Sequence, residues 1–286
     1  MSVHAALPVL TRRPHTPVVA DSSDARFPEV MLYLGNACNR ECSFCCVDGS
    51  PAGLSRPFTP AVVRSLLERI RPDARIKLYG GEPTLHHRHL IRVVRSLRSG
   101  GYIGRLTVFS NGVQARRLIE MLESDPPAEG HAGSDAYLNH AIWNGRGAPP
   151  IPAGRRRILL EWAVANPGRL FLGHDDILPV GAAERPVARA GPLADAPDFG
   201  GHCARCFPTL RSDGTVHACA FAAEVRSVVY DLGRIEDGAR EITDRRARFL
   251  RFIDEVVEPE AARLGEPACR VCLSHARASS LRAGPD

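Results

Sequence analysis

Short apolar runs that alternate with amphipathic helical segments constrain this chain more than any other feature of its sequence. Val30–Leu34, Arg75–Tyr79, Leu106–Phe109 and Arg169–Leu172 each have the length of a strand and are too short for a helix. Between the first two, Thr59 is placed to cap a helix with Pro60 at its first position, and Val63, Leu66, Leu67 and Ile70 then recur at core-facing spacing. Leu90, Val93, Val94 and Leu97 repeat that spacing in a second helix, which stops at Gly100-Gly101. A third helix turns Leu118, Ile119 and Leu122 inward, and a fourth runs from Arg155 to Ala165. Strands separated by helices pair in parallel through right-handed crossovers, so the expected architecture is an α/β layer or barrel. The alternation breaks between Ser124 and Gly154, a Pro- and Gly-rich stretch whose one helical candidate is Tyr137–Trp143.

With 286 residues, 44% of them hydrophobic, the chain is long enough for one barrel-sized domain and a small appendage. Its net charge of +5 comes almost entirely from arginine, since Lys77 is the only lysine. The basic residues form no concentrated stripe, and the triplet Arg155-Arg156-Arg157 is too short to make one, which argues against a nucleic-acid partner. Residues 1–28 carry prolines and arginines without an unbroken apolar stretch, so they read as an extension rather than a secretory signal. No run approaches the roughly 20 apolar residues of a membrane span. The expectation is a cytoplasmic protein with no membrane partner. Nine cysteines in a compartment that keeps thiols reduced point to metal rather than disulfides, and the odd total argues against complete pairing.

Three of those cysteines follow the first strand in the run CNRECSFC, with Cys38, Cys42 and Cys45 in C-x3-C-x2-C spacing. The loop therefore opens at a strand's carboxyl end, where α/β barrels place their chemistry. Iron–sulfur clusters normally take four thiolates, and three this close together leave one iron open to a further ligand. Structural zinc is the competing reading, but it favours closed tetrahedral sites from paired C-x2-C or Cys/His units, and no suitable fourth partner lies nearby. Cys46, adjacent to Cys45, reads as a small packed hydrophobe.

The run resembles the signature of the radical S-adenosylmethionine (SAM) superfamily, and two further segments resemble that family's motifs. The second strand runs into Gly80-Gly81-Glu82-Pro83, similar to the GGEP motif for the SAM amino group, where glycines permit close backbone approach and a carboxylate suits an ammonium. The third ends in Ser110-Asn111-Gly112, which resembles the turn the family places beside SAM, and Phe44 matches the aromatic residue that lies beside the adenine. The resemblance implies a partial (β/α)6 barrel over residues 29–180, SAM, and a 4Fe-4S cluster on Cys38, Cys42 and Cys45. Later strands of such a barrel help line the substrate pocket, for which His131, Asp135, His140, His174, Asp175 and Asp176 are candidates.

Residues 181–200 read as a linker, and residues 201–286 as a small metal-stapled module with Cys203, Cys206, Cys219, Cys269 and Cys272. Asp213-Gly214 signals a hairpin whose second strand ends at Cys219, a further strand spans Val228–Leu232, and Phe249, Phe252, Ile253 and Val256 share one helix face. The spacing from Cys203 through Gly214 to Cys219 resembles the opening of the SPASM/twitch extension of some radical SAM enzymes. Five cysteines fit its shorter, one-cluster form, which implies an auxiliary 4Fe-4S cluster on Cys219, Cys269, Cys272 and either Cys203 or Cys206. Structural zinc is the alternative for this module.

The resemblance implies an oxidoreductase in which reduced cluster and SAM generate a 5′-deoxyadenosyl radical that removes a hydrogen atom from the substrate. The auxiliary cluster would take the second electron. The substrate expected is a small molecule of sugar, cyclitol or nucleoside type, or alternatively a ribosomal peptide or protein side chain, with reduced flavodoxin or ferredoxin as electron donor. A non-catalytic iron–sulfur or zinc protein would explain the cysteines but not the two glycine-containing turns.

Overall fold

The computed structural model describes residues 26–143, 145, 148–173 and 208–282. Five strands come first in the chain: β1 (Phe27–Tyr33), β2 (Ile70–Tyr79), β3 (Leu106–Ser110), β4 (Ser134–Asn139) and β5 (Leu170–Gly173). Three short ones follow, β6 (Thr209–Arg211), β7 (Thr215–His217) and β8 (Asp231–Arg234), and all eight form one sheet in the order β5-β4-β3-β2-β1-β6-β7-β8. β1 to β5 pair in parallel in sequence order, and β6 adds in parallel to the other side of β1 before β7 and β8 turn back antiparallel.

Alternation along the strands decides which face the helices cover. Leu32, Leu78, Val108 and Leu138 point to the helical side and share one core with Leu66, Leu97, Leu118 and Leu122. Those four come from α1 (Pro60–Arg69), α2 (His87–Ser99) and α3 (Ala115–Glu123). Each such side chain contributes about 1.5–3 kcal/mol by leaving water. Thr59 caps α1 as its sequence indicates, its Oγ1 accepting a hydrogen bond from the Val62 amide at 3.3 Å. Two further helices, α4 (His140–Trp143) and α5 (Ala153–Ala165), connect β4 to β5. Among the described residues no helix is long and apolar enough to cross a membrane.

Several expectations need correction. Tyr137–Asn139 is strand, not helix, and only residues 140–143 coil. The error has a cause: Ala136 and Leu138 are buried on the helical side while Tyr137 faces the other way, a period of two that Pro and Gly neighbours obscured. Among the described residues, a sixth parallel strand, β6 of the hairpin, lies beside β1. The sheet thus continues from the barrel segment into the cysteine-rich segment, while the linker expected at 181–200 lies outside the described residues. β8 begins three residues later than expected, because 228–230 form a turn, and Cys219 lies two residues past the end of β7.

The C-terminal helices are α6 (Ala239–Phe252), α7 (Glu258–Leu264) and α8 (Ala268–Arg282), with a π-helical turn over Ile253–Val257 between the first two. That wider turn inserts a residue into the helical repeat. It carries Val257, fully buried, to the core in place of Val256, which is 39% exposed, contrary to the expected face.

Candidate active site

Parallel pairing places the carboxyl ends of β1, β2 and β3 along one edge of the sheet, so the three loops singled out in the sequence meet there. The cysteine loop is held by backbone bonds across its base, from Cys38 N to Ser50 O at 2.9 Å and from Asn36 N to Leu54 O at 2.9 Å. Within it, Cys45 N donates to Cys42 O at 3.1 Å and Cys45 Sγ accepts from the Gly49 amide at 3.1 Å.

The Gly-Gly turn after β2 packs against this base. Gly81 N donates to Gly35 O at 2.8 Å and Glu82 N to Ala37 O at 2.9 Å. A Cβ on Gly81 would stand 2.1 Å from Ala37 O, and Gly80 has φ +145° with a Cβ position 2.5 Å from Gly35 O. In this structure the close approach that requires both glycines is to the cysteine loop's backbone, whereas the sequence suggested approach to a ligand.

Glu82 then joins the second motif to the third. Its carboxylate is 2% exposed. Oε1 accepts from Thr84 N at 3.1 Å, Thr84 Oγ1 at 2.6 Å and Ser110 Oγ at 2.8 Å, and Oε2 accepts from Asn111 N at 2.7 Å. Burial pushes this carboxyl above the usual range, against those hydrogen bonds, which favour the ionised form. Asn111 closes the circuit: its Nδ2 donates to Asn39 Oδ1 at 2.8 Å and lies 3.6 Å from Cys38 Sγ. Pro83 is buried at the first position of a short 3-10 turn that Glu82 caps, and Phe44 is half-buried against the main core. Thr84, Asn39 and Asn36 were not picked out from the sequence. An acidic residue two before a threonine, the local capping arrangement seen at Glu82–Thr84, is the one signal that pointed to Thr84.

The three thiols lie close enough to influence one another. Burial first, then the Glu82 charge, pushes Cys38 up to about 11. Burial first, then Cys45 and Cys38, pushes Cys42 up to about 12. Burial also raises Cys45. Such thiols hold their protons until a cation replaces them. Among the described residues, no three His, Cys, Asp or Glu side chains converge on one point as the ligands of a single metal ion do. Three thiols on one loop are the donor type that an iron–sulfur cluster takes. Gly49 completes the cradle, since a Cβ there would come 3.2 Å from Cys45 Sγ and 3.3 Å from Cys38 Cβ.

Cys219, Cys269 and Cys272 gather around Tyr230. The Tyr230 hydroxyl is 3.4 Å from Cys272 Sγ, and burial followed by the three thiols Cys272, Cys219 and Cys269 drives its pKa far upward. His217, held neutral by burial with its pKa lowered to about 4, contacts Val225 O through Nε2 at 3.2 Å and receives the Cys219 amide on Nδ1 at 3.1 Å. Cys203 and Cys206 lie outside the described residues, as do His174, Asp175 and Asp176. The described cysteines are all thiols. Cys46 packs as expected and also makes a polar contact, 2.7 Å from the Tyr79 hydroxyl. With Cys269 it packs on Leu273, so the first cysteine loop and α8 share a contact.

The remaining pocket candidates fall elsewhere. His131 precedes β4 and binds the Gly133 amide through Nδ1 at 3.2 Å, at the opposite end of the sheet. Asp135 pairs with Arg105 at 2.9 Å. His140 opens α4, directly after β4.

A parallel α/β sheet that binds a three-thiol loop, a Gly-Gly-Glu turn and a Ser-Asn-Gly turn into one hydrogen-bonded unit has the makings of a radical SAM domain. Residues 32–126 match the model of the radical SAM superfamily. Over 111 residues it is 32% identical to GTP 3′,8-cyclase of Synechococcus elongatus; the match spans 37% of this chain and about a third, 34%, of that relative's length. Among solved structures, BtrN in complex with AdoMet and 2-DOIA aligns with a TM-score of 0.51 at 19% identity, covering 79% of this chain and 86% of that one. Native anSMEcpe with bound AdoMet aligns with a TM-score of 0.45 at 15% identity, covering 78% and 82%. The match to that family implies a 4Fe-4S cluster and SAM.

Proposed function

We propose that this protein binds SAM beside the Cys38–Cys42–Cys45 loop, cleaves it reductively, and oxidises a small organic substrate. The observation that carries this reading is the Glu82 carboxylate, which accepts from Ser110 and Asn111 while its own amide is bonded to Ala37 at the root of the cysteine loop. One buried group therefore fixes three loops relative to each other, the preorganisation that a radical reaction needs to select one C–H bond. Cys38, Cys42 and Cys45 would hold the cluster. Gly80, Gly81, Glu82, Pro83, Ser110, Asn111 and Phe44 would shape the SAM site, with the negative charge of Glu82 favouring an ammonium.

A cluster held there together with SAM would supply the radical chemistry that removes a hydrogen atom from the substrate. Cys219, Cys269 and Cys272, with Cys203 or Cys206, would hold a second cluster able to accept the remaining electron, while a proton leaves to solvent. The shared packing of Cys46 and Cys269 on Leu273 supports placing that acceptor near the reaction. A reduced flavodoxin or ferredoxin is the donor this chemistry calls for.

Anaerobically reconstituted protein should release 5′-deoxyadenosine from SAM under reducing conditions, and absence of this product with any substrate would refute the proposal. About eight irons per chain, roughly half of them lost when Cys38, Cys42 and Cys45 are changed together to alanine, is the expected metal analysis. Stoichiometric zinc instead would support a structural site.

A further inference from the structure

The sheet face away from the helices carries a row of aromatic side chains, one on each of the first five strands and at or next to the carboxyl end in β1, β2 and β3. Tyr33 is paired with Tyr79, Phe109 with Tyr137, and Tyr137 with Phe171 in register. Phe109 and Tyr137 stack with centroids 5.6 Å apart and planes 15° from parallel, and Tyr137 and Phe171 at 5.4 Å and 26°. Tyr79 meets Phe109 edge-on at 6.0 Å. The Tyr33 end is closed by Val47 of the cysteine loop and by Ala223, whereas Phe109 and Tyr137 keep part of their surface accessible. Phe109 immediately precedes the Ser110-Asn111 turn, so the row borders the site at which the cofactor would sit.

We infer that this row is the substrate platform and that it selects a planar, electron-rich ring. Rings that stack on one another along the sheet turn their edges, not their faces, toward the open side. Ring edges carry the positive end of the aromatic quadrupole and prefer the π face of a partner. Toward the amino ends of the strands, the charged groups of the same sheet face are paired with one another or with backbone. Lys77 is paired with Glu29 at 2.5 Å, Asp135 with Arg105 at 2.9 Å, and Arg169 donates to the carbonyls of Ser134 and Asp125 at 2.8 and 3.1 Å. A polyhydroxylated sugar or cyclitol needs several convergent hydrogen-bond partners, which aromatic edges do not supply. The row therefore selects nucleoside-like or aryl compounds over sugars and cyclitols. The ring's source, a free molecule or an aromatic residue of a peptide, is for the experiment to distinguish.

This inference rests on the radical SAM reading, and the test separates the two. Anaerobically reconstituted, SAM-loaded protein is titrated by calorimetry with guanosine, L-tryptophan, the peptide Gly-Trp-Gly and myo-inositol, and 5′-deoxyadenosine release is measured on the same preparation. Saturable binding by at least one ring compound and none by myo-inositol is expected; preference for the peptide over the free rings assigns the ring to a peptide. Tyr137→Leu should weaken ring binding roughly three- to tenfold, and Tyr137→Phe, which keeps the ring, should restore it. Binding of myo-inositol alone, no binding by any ring compound, or full ring affinity in a folded Tyr137→Leu protein overturns the inference. The wild-type titration decides the matter even if that variant fails to fold. If SAM is not cleaved at all, the parent reading fails; if SAM is cleaved but rings do not bind, only this one does.

Discussion

Substituting Gly81 by alanine tests whether the glycines serve the contact between two loops. The added Cβ would lie 2.1 Å from Ala37 O, 2.5 Å from Ala37 C and 2.7 Å from Asn36 C, all of them backbone atoms that cannot rotate aside. Relief requires the turn and the cysteine loop to part by about 1 Å, since real Cβ contacts fall near 3.4 Å or beyond. The bonds from Gly81 N to Gly35 O and from Glu82 N to Ala37 O lie across that gap and would be lost or lengthened. Overpacking together with two weakened hydrogen bonds amounts to about 2–5 kcal/mol. For a chain of this size that is a fall in Tm of roughly 5–15 °C. Differential scanning fluorimetry of metal-free protein measures it, and iron analysis after reconstitution reads the loop geometry separately. Gly154→Ala in α5, with nothing within 4 Å of its Cβ, is the control and should be neutral or slightly stabilising. A Gly81→Ala protein melting within ~2 °C of wild type, with full iron content, would refute the reasoning.

Other expectations follow from the same geometry. Arg98 grips Asp125 through two bonds of 2.9 and 2.8 Å at the far end of the sheet, and Ser134 Oγ adds a third at 2.6 Å. Burial raises the Asp125 carboxyl, but these bonds outweigh it and hold it below its ordinary value. Its contribution is therefore complete above the unfolded pKa and disappears as pH falls through the folded one; Asp125→Asn should cost about 3–5 kcal/mol in neutral urea melts and flatten the acid limb of stability. In the π-helical turn, Val257→Ala should cost about 2 kcal/mol and Val256→Ala under ~0.5, and equal losses would contradict the register shift. Because Cys38 and Cys42 are held protonated by burial, cluster assembly should release protons and become tighter as pH rises, measurable as pH-dependent iron retention under a chelator.

How much of this could be read from the chain differs by element. The helices with unbroken periodicity, such as the run through Leu90, Val93, Val94 and Leu97, lie where the pattern puts them, because burial on one face alone sets that spacing. β4 was missed because only Ala136 and Leu138 turn apolar side chains to the core while Tyr137 faces the other way, an alternation too short to stand out among Pro and Gly neighbours. The aromatic row shows the same limit. Each ring is visible in the sequence, but that five of them align depends on the register between residues 28 to 46 apart in the chain.

The sequence by itself determined the chemistry available. Three closely spaced thiols, a Gly-Gly-Glu turn and a Ser-Asn-Gly turn, each after an apolar strand, are local patterns, and local spacing is what a linear chain records directly. Only the tertiary structure decided that one buried carboxylate, Glu82, holds these turns together, and that the hairpin after residue 208 extends the sheet beside β1. Likewise, the glycines turned out to meet a neighbouring backbone. The physical reason is that hydrogen bonds and close packing between segments far apart in sequence depend on strand order and register, which no single segment encodes.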